Sequence, residues 1–205
     1  VETHSTKPIV KSLYSDAGSG IMFNLSGEVT IGTTRLPQGV IVLPLRKHAE
    51  NIHLANNAQL AGIRFFPAVE YSIWGQHHCT AYLLPKSNER HYKLYKLFDT
   101  LKKTNSLGDH ISIIEQWAIT NLNANKPFPS ALTNVLHMLE QPESLSNLCA
   151  SVNLSQRQIE RIFNRWLAIT PKHYQRIVRI KKVIDYLRQN KAASLADVAQ
   201  QYGFS

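Results

Sequence analysis

Apolar positions between Leu132 and Phe204 follow the spacing of helix faces, and one short pattern is written twice. Ser144-Leu-Ser-Asn-Leu-Cys-Ala-Ser-Val-Asn-Leu-Ser155 returns fifty positions later as Ser194-Leu-Ala-Asp-Val-Ala-Gln-Gln-Tyr-Gly-Phe-Ser205. Apolar residues recur at 148/198, 149/199 and 152/202, which with Leu145 and Leu195 make the i, i+3, i+4, i+7 stripe of a short helix. Each copy then reaches a residue that tolerates positive φ, Asn153 or Gly203. A hydrophobic residue and a serine able to cap another helix come next in both. The pattern predicts the first half of a helix-turn-helix, present twice. The sequence ends at Ser205, so the second copy is expected to stop short of its second helix, with residues missing at both ends of the chain.

The first copy continues. Ser155-Gln-Arg-Gln158 has the form of a capping box, and the helix it opens carries Ile159, Ile162, Phe163, Trp166 and Leu167 on one face. Thr170-Pro171 supplies an N-cap and a first-position proline for a long helix running to about Arg188. Tyr174, Ile177, Ile180, Ile184 and Leu187 are predicted to face inward, and the helix would serve as a strut between the repeats. Ahead of the first copy, Leu132, Val135, Leu136 and Leu139 form another stripe, which Pro142 breaks.

Upstream the period changes. Ile21–Leu25, Val29–Ile31, Val40–Leu43 and Ala61–Phe66 are short apolar runs separated by Gly, Pro and Asn, the signature of strands. Residues 1–20 predict a loose lead-in or an incomplete first strand. Two amphipathic helices come after, one with Leu94, Leu97, Phe98 and Leu101 inward, the other with Ile111, Ile114, Ala118 and Leu122 inward. Asn123–Pro129 is a natural boundary, since neither helix continues through its prolines and asparagines. The predicted class is α+β. A β-rich domain with flanking helices occupies residues 1–125, with strands to about 75 and helices over 88–123. An all-α helix-turn-helix domain occupies 130–205, with one complete unit, a linker helix and the start of a second unit.

Charge sharpens this picture. Of the net charge of +9, +5 falls within residues 131–205. Across 155–182, Arg157, Arg161, Arg165, Lys172, Arg176, Arg179, Lys181 and Lys182 face Glu160 alone. Such a field favours phosphate backbones, although a merely solvated basic face has the same composition. The composition is that of an ordinary folded chain, the longest apolar run, Val40–Leu43, is far too short to span a membrane, and no signal segment opens the sequence. Cys79 and Cys149 provide neither a disulfide framework nor a CxxC metal pair, which suits the cytoplasm. No metal and no cofactor is expected, because His77-His78-Cys79 lacks a second ligand pair.

On the helix after Ser155 the outward residues are Gln156, Arg157, Glu160, Arg161, Asn164 and Arg165. Arginine binds guanine O6 and N7 bidentately, glutamate accepts from cytosine N4, and glutamine pairs with adenine or bonds phosphate. A long polar face on a capped helix placed after a turn has the attributes of a recognition helix in a major groove.

These residues carry a resemblance. Leu154-Ser-Gln-Arg-Gln-Ile-Glu-Arg-Ile-Phe-Asn-Arg165, Ile169-Thr-Pro-Lys-His-Tyr174 and Arg179-Ile180 closely resemble the AraC/XylS family of bacterial transcription regulators. Leu195 through Ser205 is similar to the start of that family's second helix-turn-helix, so the resemblance covers about residues 131–205. It implies sequence-specific binding of double-stranded promoter DNA and no enzyme activity. It places base reading on Arg157, Glu160 and Arg161, and phosphate contacts on Gln156, Asn164, Arg165 and the segment from Thr170 to Lys172. Phe163, Trp166 and Tyr174 match the family as core residues. Arg179 matches either as a bracing charge or as a DNA contact. Asn153 departs from the glycine common at its position, a change that αL-tolerant asparagine accommodates.

Gly62–Pro67 with Trp74-Gly75 resembles part of the N-terminal half of some members of the family. It implies a sensing or dimerisation domain, and hence a small-molecule effector, a homodimer and RNA polymerase as candidate partners. Phe23, Phe65, Phe66, Tyr71 and Trp74 are either plain core or the walls of a pocket for an apolar or amphipathic molecule. Two alternatives remain at this level. One is an alkyl-transfer type of DNA-repair enzyme with an activated Cys79; the other is a regulator whose helices bind a protein partner.

Overall fold

Two central strands of the first unit bury both of their faces, and this sets its layers. In the computed structural model, which describes residues 7–88, 92–104, 106–122, 128–141 and 145–204, the chain divides into two units. One consists of Val1–Tyr14 with Gly18–Pro127, the other of Ser15–Ala17 with Phe128–Ser205.

Among the described residues, the first unit holds eight strands: β1 (Ile9–Leu13), β2 (Ser19–Ser26), β3 (Val29–Ile31), β4 (Thr34–Leu36), β5 (Gly39–Leu43), β6 (Glu50–Leu54), β7 (Gln59–Phe65) and β8 (Tyr82–Leu83). They form two antiparallel four-stranded sheets, ordered β7-β2-β5-β8 and β1-β6-β3-β4. Successive side chains of a strand point to opposite faces. Ile21, Phe23 and Leu25 of β2 and Val40 and Val42 of β5 therefore enter one core, with Leu94, Leu97, Phe98, Leu101, Ile114 and Trp117. Met22 and Ile41 enter another, with Val29, Ile31, Leu36, Ile52 and Leu54 of the second sheet. The near-continuous apolar runs of β2 and β5 follow from this double burial.

Among the described residues, three α-helices belong to this unit: α1 (Val69–Trp74), α2 (Leu94–Lys102) and α3 (Leu107–Leu122). α2 buries the four residues its pattern predicts. α3 is rotated from its prediction. It buries His110, Ile114 and Trp117, while Ile111 is 60% exposed. Hydrogen bonding decides the rotation. Trp117 Nε1 donates to the Tyr92 carbonyl (2.6 Å), and His110 Nε2 lies 2.9 Å from the Leu101 carbonyl and 2.8 Å from that of Thr104. A large ring with a satisfied N–H gains more from burial than one isoleucine. The strand prediction to about residue 75 is also corrected, because residues 69–74 are helical.

The second unit is helical: α4 (Ser130–Leu139), α5 (Leu145–Val152), α6 (Gln156–Leu167), α7 (Pro171–Gln189) and α8 (Leu195–Gln201). Leu132, Val135, Leu139, Leu148, Ile159, Phe163, Leu167, Tyr174 and Ile177 are buried within it. Pro142, Ser144, Ser205 and most of the Asn123–Pro129 boundary lie outside the described residues. Among the described residues, no helix is long and apolar enough to cross a membrane.

Candidate nucleic-acid interface

The sequence repeat is also a repeat of backbone geometry. Asn153 has φ 52° and Gly203 φ 67°, both left-handed. The Leu154 N–H donates to the Cys149 carbonyl at 3.3 Å, and the Phe204 N–H to the Ala199 carbonyl at 2.8 Å. Donor and acceptor are again offset by fifty residues in each case. Both bonds span five residues across a left-handed residue, the arrangement that closes a helix and redirects the chain. Leu154 and Phe204, the hydrophobic residues just after the turns, are both partly buried.

The first turn leads into α6, a helix fixed at both ends. The Ser155 hydroxyl accepts from the Gln158 N–H (3.3 Å), and Gln158 Oε1 accepts from the Ser155 N–H (2.8 Å) and hydroxyl (3.0 Å). At the other end the N–H of left-handed Ala168 donates to the Asn164 carbonyl (3.1 Å). Ile159, Phe163 and Leu167 anchor the inner face, with Phe163 meeting Tyr174 edge-on at 5.7 Å. Ile162 and Trp166 are half-buried at the margins, and Trp166 lies 5.5 Å from Phe128.

All six polar residues predicted to face outward are exposed. They form two neighbouring rows along the helix, Gln156–Glu160–Asn164 and Arg157–Arg161–Arg165. Sequence reasoning missed a bond inside the first row. Gln156 Nε2 donates to Glu160 Oε1 at 2.9 Å, so the carboxylate is already oriented at the N-terminal end of the face. Gln158, although exposed, is occupied in the cap. Thr170 caps α7 by accepting from the His173 N–H (3.1 Å), and Lys172 is exposed on its first turn. Burial, with the Glu140 charge beside it, pushes the Tyr174 phenol well above its ordinary value.

The aromatic residues considered for a pocket in the first unit do not share one wall. Phe23, Phe65 and Trp74 belong to the core beneath the helices, whereas Phe66 is 85% exposed. Alternation along β7 puts Phe65 inside and sends its neighbour out. Tyr71 stacks on His77 at 5.1 Å. Nearby is a buried polar cluster that no spacing announced. The Glu70 carboxylate, 4% exposed, accepts from the Leu45 N–H (3.2 Å), the His78 N–H (3.3 Å) and His78 Nδ1 (3.2 Å). With Nδ1 protonated toward Glu70, His78 Nε2 accepts from the Tyr82 hydroxyl (3.1 Å). Burial and the Glu70 charge raise the Tyr82 pKa. The two histidines that precede Cys79 are therefore engaged with Glu70, Tyr82 and Tyr71, while Cys79 itself is exposed.

Twin turns, a capped polar helix after the first, and a long helix leading to the second define a helix-turn-helix domain. Residues 148–205 match the family described as "Helix-turn-helix domain". The HTH-type transcriptional regulator GbdR of Pseudomonas aeruginosa, in two strains, is 32% identical over 84 residues. That stretch covers 40% of this chain and 23% of the regulator, so the chain matches about a quarter of its relative's length. Among solved structures, ToxT from Vibrio cholerae at 1.65 Å is similar with a TM-score of 0.47 and 9% identity, covering 97% of this chain and 89% of that one. Unsaturated fatty acid bound ToxT is similar with a TM-score of 0.42 and 8% identity, covering 100% and 89%.

Proposed function

We propose that this protein is a sequence-specific DNA-binding regulator of transcription acting in the bacterial cytoplasm, with α6 entering the major groove. The observation that carries this reading is the twin turn, in which the same left-handed residue and the same five-residue bond recur at a fixed offset. The regulator name of the matched relative supports it. In this reading Arg157 and Arg161 meet guanine edges, and Glu160, which accepts a hydrogen bond from Gln156, accepts from cytosine N4. Gln156, Asn164, Arg165, Thr170 and Lys172 flank that patch and would hold phosphates, which fix register without reading sequence. The first unit is the effector or dimerisation domain in this reading. A ligand or partner bound there would act by its different affinity for DNA-competent and DNA-incompetent states.

Two substitutions test the assignment. Arg161→Ala should cost about 1–3 kcal/mol on the specific site and relax choice at one base position. Lys172→Ala should weaken specific and random duplex alike and lower the salt slope by about 1. Binding-site selection followed by titration at several salt concentrations reads both. Equal losses for Arg161→Ala on specific and random DNA would overturn the base-reading role.

A further inference from the structure

The strut α7 does more than separate the two turns. Its buried side, Pro171, Tyr174 and Ile177, packs within the first copy, where Tyr174 meets Phe163. A second stripe, Arg179, Val183 and Tyr186, lies on successive turns of a different side. Arg179 Nη1 donates to the Gly203 carbonyl at 3.3 Å, and its guanidinium carbon sits 4.6 Å from the centre of the Phe204 ring. Tyr186 meets Tyr202 at 5.9 Å between ring centres. All three partners, Tyr202, Gly203 and Phe204, are the turn of the second copy.

We propose that Arg179 is a positioning residue, clamping the turn of the second copy onto α7 so that this turn and the first helix-turn-helix form one oriented body. A planar guanidinium can stack on a ring and donate to a carbonyl beside it at once, which a lysine ammonium cannot match. The carbonyl it takes belongs to the left-handed residue that redirects the chain. Fixing that peptide therefore fixes the direction in which the chain leaves α8. The DNA consequence rests on the regulator reading above; the clamp itself does not.

The test compares Arg179→Ala, Arg179→Lys and Phe204→Leu with the parent chain. In the parent, the Arg179 δ-methylene protons should be shifted upfield by the Phe204 ring, and Phe204→Leu should abolish that shift. Arg179→Ala should speed amide exchange at Gly203 and Phe204 by about tenfold, the loss of a stacked cation and one hydrogen bond, while amides of α5 and α6 keep their rates. Arg179→Lys should recover only part. On DNA, Arg179→Ala and Phe204→Leu should both weaken specific binding by about 2- to 5-fold with an unchanged salt slope, because no phosphate contact is lost. A slope lowered by about 1 in Arg179→Ala, with Phe204→Leu like the parent, would make Arg179 a phosphate contact and overturn the proposal. Unchanged exchange and an unshifted δ-methylene would overturn it without reference to DNA. A parent chain with no specific DNA binding but an intact clamp would sink the regulator reading alone.

Discussion

The two turns give an unusually controlled pair of substitutions. Gly203 has φ 67°, and a Cβ built there meets only Arg179 Nη1, at 3.8 Å, which is ordinary contact. The cost of Gly203→Ala is therefore conformational rather than steric. Holding an L-residue in the left-handed region costs about 1–2 kcal/mol. Loss of glycine's freedom in the unfolded chain offsets about 0.4–1 kcal/mol. About 1 kcal/mol of net destabilisation should remain. Asn153 sits at φ 52° in the first copy, so Asn153→Ala carries the same kind of cost, reduced because asparagine already gives up part of the glycine advantage. Asn153→Gly, in contrast, should be neutral within about 0.5 kcal/mol. Amide exchange at the N–H each turn ties down is the direct assay: Phe204, bonded to Ala199, and Leu154, bonded to Cys149. Each alanine should speed exchange at its own amide by about 3- to 10-fold and leave the other alone. Asn153→Gly should leave both unchanged. If Asn153→Gly damages the first turn as much as Asn153→Ala, or Gly203→Ala leaves Phe204 exchange untouched, the two turns are not conformational equivalents.

Three further expectations concern stability. Glu70→Ala strands the Leu45 and His78 N–H groups, at about 1–3 kcal/mol each, whereas Glu70→Gln keeps an acceptor and should cost less. Urea unfolding of variants that keep Trp166 as their sole tryptophan, or lack it, would separate the units, and an unaffected first unit would refute the cluster's role. Ser155→Ala removes one half of the capping box and should cost the second unit about 1 kcal/mol, with no loss arguing that the box is dispensable. The raised pKa of Tyr174 means that its stabilising contribution is fully present below the ordinary value near 10. It is lost as pH rises from there through the folded value, since the unfolded chain releases its proton first. Tyr174→Phe should flatten the alkaline limb of the stability curve, and an identical limb in both proteins would contradict the shift.

Sequence alone went far where period and punctuation coincide. β2, β3, β5 and β7 were visible as apolar runs, and α6 and α7 as stripes bounded by Ser155 and Thr170-Pro171. β1 and β6 were not. In Glu50–Leu54 only Ile52 and Leu54 turn inward, and in Ile9–Leu13 the residues between the ends are exposed. β4, Thr-Arg-Leu, holds a single apolar residue and β8 is two residues long, so neither makes an apolar run. In α3 the apolar count favoured Ile111, but the rings of His110 and Trp117 found carbonyl partners and took the inner face.

The outward rows of α6 and the two left-handed turns were fixed by local chemistry: a cap, a 3.6-residue period, and residues that tolerate positive φ. Each acts within a few positions of chain, so the sequence determines it unaided. The Glu70 cluster, the rotation of α3 and the Arg179 clamp depend on bonds between residues as many as 25 positions apart. Whether a polar group in such a cluster is satisfied depends on which carbonyl or carboxylate the fold delivers to it. Only the tertiary structure decides that.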